Sequence, residues 1–290
     1  MTATEQTHSL NSGSMHDTYQ IHQVLGIGGF GITYKAIDRS LDCLVAIKEY
    51  FPTQLAVRAP NSQQVQPKTG SDKDTYDFGL QRFMDEARLL AKFTDSNIVR
   101  VRRYIEANGS AYIIMDYEEG LPLNHYLMRC ATLNETEIKQ VFQPILHGLH
   151  TVHAMDILHR DLKPPNIYLR TAGEPFLLDF SAARQAMNTQ GRYVTNLGTH
   201  FYAPYEQFTA TEPQGPWTDI YSLGATLYHC LTGHAPISAL DRSPPRRKSA
   251  GTRCYRPSMH AKTVIARIYW PVWTGCWSYV PVIVRRICRH

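Results

Sequence analysis

Between residues 159 and 180 the chain gathers Asp161, Lys163, Asn166 and Asp179, within His159-Arg160-Asp161-Leu162-Lys163-Pro164-Pro165-Asn166 and Leu178-Asp179-Phe180. Asp161 is a carboxylate that can accept the proton of an attacking hydroxyl. Lys163, two residues on, can steady a transferring phosphoryl group. Asn166 and Asp179 offer amide and carboxylate oxygens, ligands that suit a hard divalent cation such as Mg2+. A base, a cation and two metal-ligand candidates are the parts needed to move the γ-phosphoryl group of ATP to a hydroxyl. A merely solvated charged loop has no reason to hold this set in this order.

Two upstream features fit the same chemistry. Gly26-Ile27-Gly28-Gly29-Phe30-Gly31 has glycines at Gly-x-Gly-x-x-Gly spacing and lies between two expected strands. A dinucleotide fold would need a helix after the glycines. Between strands, they let a hairpin lie over phosphates with its amides exposed, although a plain glycine turn has the same pattern. Lys48 ends Val45-Ala46-Ile47-Lys48. An interior-facing Lys needs an anionic partner, and Glu86 or nucleotide phosphates can supply it. A surface Lys and a surface Glu would read the same way in isolation.

These residues need elements to position them. Residues 1–17 are polar and read as a disordered leader. Strands are expected at 19–25, 32–37, 44–48, 98–105 and 111–117, from runs of β-branched and aromatic residues. Residues 61–75 are polar with Pro and Gly and read as a loop. Phe83, Ala87, Leu90 and Ala91 have helical spacing, so a helix is expected over 83–93. Beyond Asn134 helices dominate, including 138–155 and 220–232. The expected fold is therefore α+β, a small β-rich lobe with one helix followed by a larger helical lobe, joined near residues 116–120.

With these motifs in this order, the chain resembles the eukaryotic-type protein kinases, particularly their bacterial serine/threonine members, over about residues 19–242. The resemblance implies a two-lobed kinase fold, ATP with Mg2+ (Mn2+ as a substitute ion), and transfer to Ser or Thr of protein substrates, autophosphorylation included. It implies that Gly26, Ile27, Gly28, Gly29, Phe30 and Gly31 cover ATP, and that Lys48 pairs with Glu86 and the phosphates. Ala46 and Met115 line the adenine pocket, Met115 guarding its back, and Asp116, Tyr117 and Glu118 form the hinge. Asp161 is the implied base, Asn166 and Asp179 the metal ligands. Lys163 resembles the serine/threonine rather than the tyrosine kinases, and Thr199 matches a threonine that bonds the catalytic Asp and Lys. Arg160 matches an arginine that pairs with a phosphorylated residue of the segment Asp179 to Glu206, with Thr189 and Thr195 as candidate phosphosites. Asp219 resembles the buried helix aspartate that holds the catalytic loop. Val45-Ala46-Ile47-Lys48-Glu49-Tyr50-Phe51-Pro52 is a further bacterial-looking signature.

Departures from the pattern carry their own expectations. Ser181 replaces the glycine that normally follows Asp179-Phe180, which should alter switching of the segment rather than metal binding. Thr33 stands where Val is usual, and Ala203-Pro204 is shifted by one. The domain is expected to run over 18–242, with an N-lobe of 18–117 and a C-lobe of 118–242 left incomplete. Residues 243–290 then read as an aberrant tail. Read one base out of frame, Tyr269-Trp270 forces Leu, Trp270-Pro271 forces Ala, Trp273-Thr274 forces Asp and Cys276-Trp277 forces Leu. That frame restores a family-like helix, so a frameshift is the expected origin of the tail. A damaged C-lobe also supports an alternative, an ATP-binding but weakly active or silent interaction protein. A small-molecule phosphotransferase is disfavoured by Lys163 and by the long threonine-bearing segment.

Bulk composition excludes other classes. Lys and Arg outnumber Asp and Glu, 30 to 25, but only Arg246-Arg247-Lys248 clusters, so no nucleic-acid partner is expected. The 6 cysteines are widely spaced with no Cys-x-x-Cys, which indicates neither a zinc site nor a disulfide framework. The apolar run 264–284 contains Arg267, Pro271, Gly275 and Pro281 and is not expected to span a membrane. A cytoplasmic location is expected.

Overall fold

Alternation of apolar and polar residues from Tyr19 onward builds an antiparallel sheet, seen in a computed structural model that describes residues 9–60, 62–180, 200–209 and 211–241. These residues fall into two units, 9–118 and 119–241.

In the first unit the strands are β1 (Met15–His16), β2 (Tyr19–Ile27), β3 (Gly31–Asp38), β4 (Cys43–Tyr50), β5 (Ala56–Arg58), β6 (Val65–Pro67), β7 (Val101–Ala107) and β8 (Ser110–Asp116). The main sheet has the order β1-β2-β3-β4-β8-β7, and β5-β6 is a separate hairpin. On β3, Ile32, Tyr34 and Ala36 are buried at alternate positions; opposite them on β4 lie Val45, Ile47 and Glu49. Period-two alternation puts this set on one face and Ala46, Lys48 and Tyr50 on the other. The helix α1 (Lys73–Leu90) packs on the Lys48 face, where Phe83 lies 5.5 Å and Tyr76 5.1 Å from the Tyr50 ring.

The second unit holds β9 (Gly120–Pro122), α2 (Leu123–Cys130), α3 (Glu135–His153), β10 (Ile167–Arg170), β11 (Pro175–Leu177) and α4 (Pro216–Thr232). Its sheet has the order β11-β10-β9. Helix α3 starts at a capping box: Asn134 Oδ1 accepts from the amides of Thr136 (2.9 Å) and Glu137 (3.1 Å), and Glu137 Oε2 accepts from the Asn134 amide. Helix α4 starts with Pro216, whose missing N–H costs nothing there, and ends at Gly233 in the left-handed region (φ 74°). Ile138, Phe142 and Ile145 of α3 share a core with Leu162, Leu223 and Leu227. Each fully buried side chain of this kind contributes roughly 1.5–3 kcal/mol.

The structure departs from the sequence expectations in several places. Residues 9–14 are not a disordered leader: Gly13 N donates to Ile21 O, Ile21 N to Ser14 O, and Leu10 is buried. Too few apolar residues lie there to signal packing; main-chain bonding to β2 does the work. Helix α1 begins ten residues before the expected Phe83 and ends at Leu90 rather than Phe93. Its first turns are largely charged, yet Tyr76 and Gly79 are buried, and Lys73 bonds Asp77 one turn on. The stretch read as a loop at 61–75 therefore contains β6 and the start of α1. Strand β4 runs two residues past Lys48, and α2 was not anticipated. Among the described residues, no helix is long and apolar enough to cross a membrane.

Candidate active site

In the first unit, β2 and β3 turn through Gly28, Gly29 and Phe30. The turn is closed by Gly28 N donating to Gly31 O (2.8 Å) and tied to the chain after β4 by Phe51 N donating to Phe30 O (3.0 Å). The glycines differ in what surrounds them. A Cβ on Gly31 would lie 2.4 Å from the Glu49 carbonyl oxygen, so close approach of β4 demands glycine there. Nothing lies within 4 Å of a Cβ at Gly26 or Gly29, and only Gly31 O at 3.6 Å is near one at Gly28. Packing does not explain glycine at those three positions.

Lys48 points to the α1 face, where its Nζ lies 3.7 Å from Glu86 Oε1; the two side chains are 16% and 2% exposed. Ala46 is paired with Met115 on β8, which puts them on the same face as Lys48. Asp116 follows, its amide donating to Arg100 O and its carboxylate accepting from Arg102 Nε at 2.5 Å. The Tyr117 ring lies under Lys35 Nζ (4.3 Å), and Glu118 is half-buried.

In the second unit, buried Asp161 is met by two neighbours from its own loop. Lys163 Nζ lies 3.1 Å from Asp161 Oδ2, and Asn166 Nδ2 donates to that oxygen and to the Asp161 carbonyl, both at 2.8 Å. With its amide donors committed to Asp161, Asn166 has Oδ1 as its ligating end. Asn166 O in turn accepts from Leu178 N (2.9 Å), which ties the loop to the residue before Asp179. Amide and carboxylate oxygens are what a hard divalent cation takes, so the donor set at Asn166 and Asp179 fits such an ion.

Asp219, on the first turn of α4 and fully buried, anchors the loop backbone. It accepts from His159 N (2.9 Å) and Arg160 N (2.6 Å), and His153 Nε2 is 2.8 Å away. Arg160 has φ 65° and Asp179 φ 43°. Non-glycine residues in this region are strained by about 1–3 kcal/mol, so surrounding bonds must hold them. Asp219 and Gln207, whose Nε2 donates to Arg160 O (2.8 Å), do this at Arg160.

His159 is fixed as a neutral ring. Its Nδ1 accepts from the Asp161 amide (3.3 Å), so the proton sits on Nε2 and is donated to Leu178 O (2.8 Å). Burial pushes its pKa below the ordinary 6.5, outweighing Asp219 and Asp161, which pull it up. The Phe180 ring lies 4.4 Å from this imidazole. Burial also lowers the pKa of the Arg160 guanidinium, with Asp219 opposing.

Sequence reasoning named Asp219 but not His153 or Gln207. Their partners lie 66 and 47 residues away in the chain, and neither residue belongs to a local motif. Glu206 Oε1 accepts from Thr218 Oγ1 at 3.1 Å. Ser181, Thr189, Thr195 and Thr199, together with Arg242 and residues 243–290, lie outside the described residues.

Comparison with known proteins converges on one family. The protein kinase domain family matches residues 19–273, reaching past the boundary expected at 242. The chain is 31% identical over 235 residues to the serine/threonine-protein kinase PknA of Nostoc sp., covering 77% of this chain and 38% of that protein. It is 32% identical over 213 residues to the serine/threonine-protein kinase PknK of Mycobacterium tuberculosis, covering 73% of this chain and 17% of that protein. It thus spans well under half the length of these relatives. Among solved structures, the apo form of PpkA-294 has TM-score 0.73 and 34% identity, covering 81% of this chain and 83% of that one. Rad53 1-466 in complex with AMP-PNP has TM-score 0.57 and 25% identity, covering 76% and 50%.

Proposed function

The chain belongs to the protein kinase domain family, among relatives that are bacterial serine/threonine kinases, and from that premise we propose that it transfers the γ-phosphoryl group of ATP to serine or threonine hydroxyls of proteins. The observation that carries this is the convergence on Asp161. Its Oδ2 is held by Lys163 and Asn166, and its loop is hung from Asp219 by two amides.

Asp161 takes the proton of the attacking hydroxyl, and Lys163 beside it offsets negative charge on the transferring group. Asn166 Oδ1 and the Asp179 carboxylate would hold a divalent cation, Mg2+ in our reading, which supplies neutralisation of phosphate charge. Lys48, kept in place by Glu86, contacts the nucleotide phosphates. The room left at Gly26, Gly28 and Gly29 admits phosphates close to the backbone amides. Ala46 and Met115 line the adenine site, and residues 116–118 bond its edge. Thr199 completes the catalytic set. Such catalysis is positioning plus electrostatics, with little covalent work for the protein.

The kinase domain comprises residues 18–242 in this reading, with lobes of 18–117 and 118–242. Residues 243–290 are a frame-shifted reading of the C-lobe. Sequencing the coding DNA checks this: stops in the alternative frame, or no family pattern there, end the idea. The proposed setting is cytoplasmic, without nucleic-acid or membrane partners. Transfer of labelled phosphate from ATP to a generic protein substrate tests the function. Loss of transfer in Asp161→Asn supports it; nucleotide binding with no transfer by the unaltered chain favours a silent binding protein.

A further inference from the structure

The signature Lys48-Glu49-Tyr50-Phe51 contains a buried acid that the phosphoryl-transfer account leaves unused. Glu49 is 0% exposed on the face of β4 opposite Lys48. Three donors from three segments converge on it. Tyr34 Oη on β3 and Arg58 Nη2 on β5 each bond Oε2 at 2.7 Å, and Tyr112 Oη on β8 bonds Oε1 at 3.0 Å. Each donor is itself held. Tyr34 Oη accepts from Leu10 N (3.1 Å) of the N-terminal strap, Arg58 Nη1 donates to Gln63 O (2.8 Å), and Tyr112 Oη accepts from Asn108 Nδ2 (3.2 Å). Burial, with the Glu49 charge adding to it, raises the pKa of both phenols, which therefore stay protonated as donors.

A buried ion pair is poor value for stability, since apolar side chains of similar volume commonly do as well or better. What it supplies is direction. Adjacent residues on a strand face opposite ways, and a slip of one residue would turn Lys48 into the pocket that holds the Arg58 guanidinium. That arrangement sets like charges together in a buried site. The converging donors accept a carboxylate at position 49 and reject the ammonium at 48, which locks β4 in the register that presents Lys48 to Glu86.

We propose that Glu49 is a positioning residue for Lys48, acting from the far face of β4 through Tyr34, Arg58 and Tyr112. The proposal rests on the kinase reading of Lys48. Its test uses the full chain, comparing the unaltered protein with Glu49→Gln and with the double substitution Glu49→Leu, Arg58→Met, which replaces the pair by apolar groups. Thermal unfolding is measured beside the Kd of a fluorescent ATP analogue, well below each melting point. The double variant is expected to melt no lower than Glu49→Gln, yet to bind nucleotide about ten- to a hundredfold more weakly than the unaltered chain. Unchanged nucleotide affinity in the folded double variant overturns the positioning role while leaving the kinase reading intact. Absence of nucleotide binding by the unaltered chain overturns both. If the double variant does not fold, Tyr34→Phe, which removes one donor and little volume, decides the matter by the same affinity measurement: weakened binding supports the role, and unchanged binding refutes it.

Discussion

Asp161, Lys163 and Asn166 lie within six residues, so their meeting was legible before any coordinates: a loop that short has few ways to keep them apart. What holds the loop was not legible. His153 and Gln207 reach it across long sequence separations, and nothing in their neighbourhood marks them. The same limit hid the surroundings of Glu49, whose adjacency to Lys48 is obvious while its donors come from three other segments. Titration follows from burial. His159 and His229 both have pKa values pushed below 6.5 by burial. The unfolded chain then binds protons that the folded one refuses. Stability should be full above about pH 6.5 and fall below it, by up to about 1.4 kcal/mol per pH unit for the fully buried His159. Denaturant midpoints at pH 7.5 and 5.5 check this; equal midpoints would contradict it.

At the scale of elements, strands were easier to read than helix starts. Ile32, Tyr34, Val45 and Ile47 alternate cleanly because one sheet face is buried. The first turns of α1 carry charge where a core helix should be apolar, and only their partners reveal them. The caps supply a quantitative check. Asn134→Ala removes the acceptor for two amides of α3 and is expected to lower stability by about 1 kcal/mol, read from urea unfolding. The glycine turn gives a contrast. Gly31→Ala forces a Cβ onto the Glu49 carbonyl and should destabilise the fold. Gly28→Ala has room and should leave the melting temperature within about a degree while weakening ATP binding. Equal melting losses for the two would show that the turn is packed alike at both positions.

For the whole molecule, the fold class was legible because the motifs occur in order along the chain, and the protein kinase domain family, which matches residues 19–273, bears out that fold class. The expected origin of the tail rests on codon arithmetic rather than on packing, and α4 precedes it in the chain. Ile220, Leu223 and Leu227 there are buried in the core that also holds Leu162 of the catalytic loop. We expect a version with the frame restored after residue 242 to melt higher and to phosphorylate faster than this chain. Calorimetry and initial rates measured side by side check this, and a restored version that gains neither contradicts the account of the tail.

The central claim, that Asp161 serves as the base for phosphoryl transfer from ATP to protein hydroxyls, is tested most directly by following labelled γ-phosphate. The account predicts incorporation at serine or threonine by the unaltered chain. It predicts loss of incorporation in Asp161→Asn at undiminished ATP affinity. Transfer that survives Asp161→Asn, or ATP binding by the unaltered chain with no transfer to any protein hydroxyl, would contradict it.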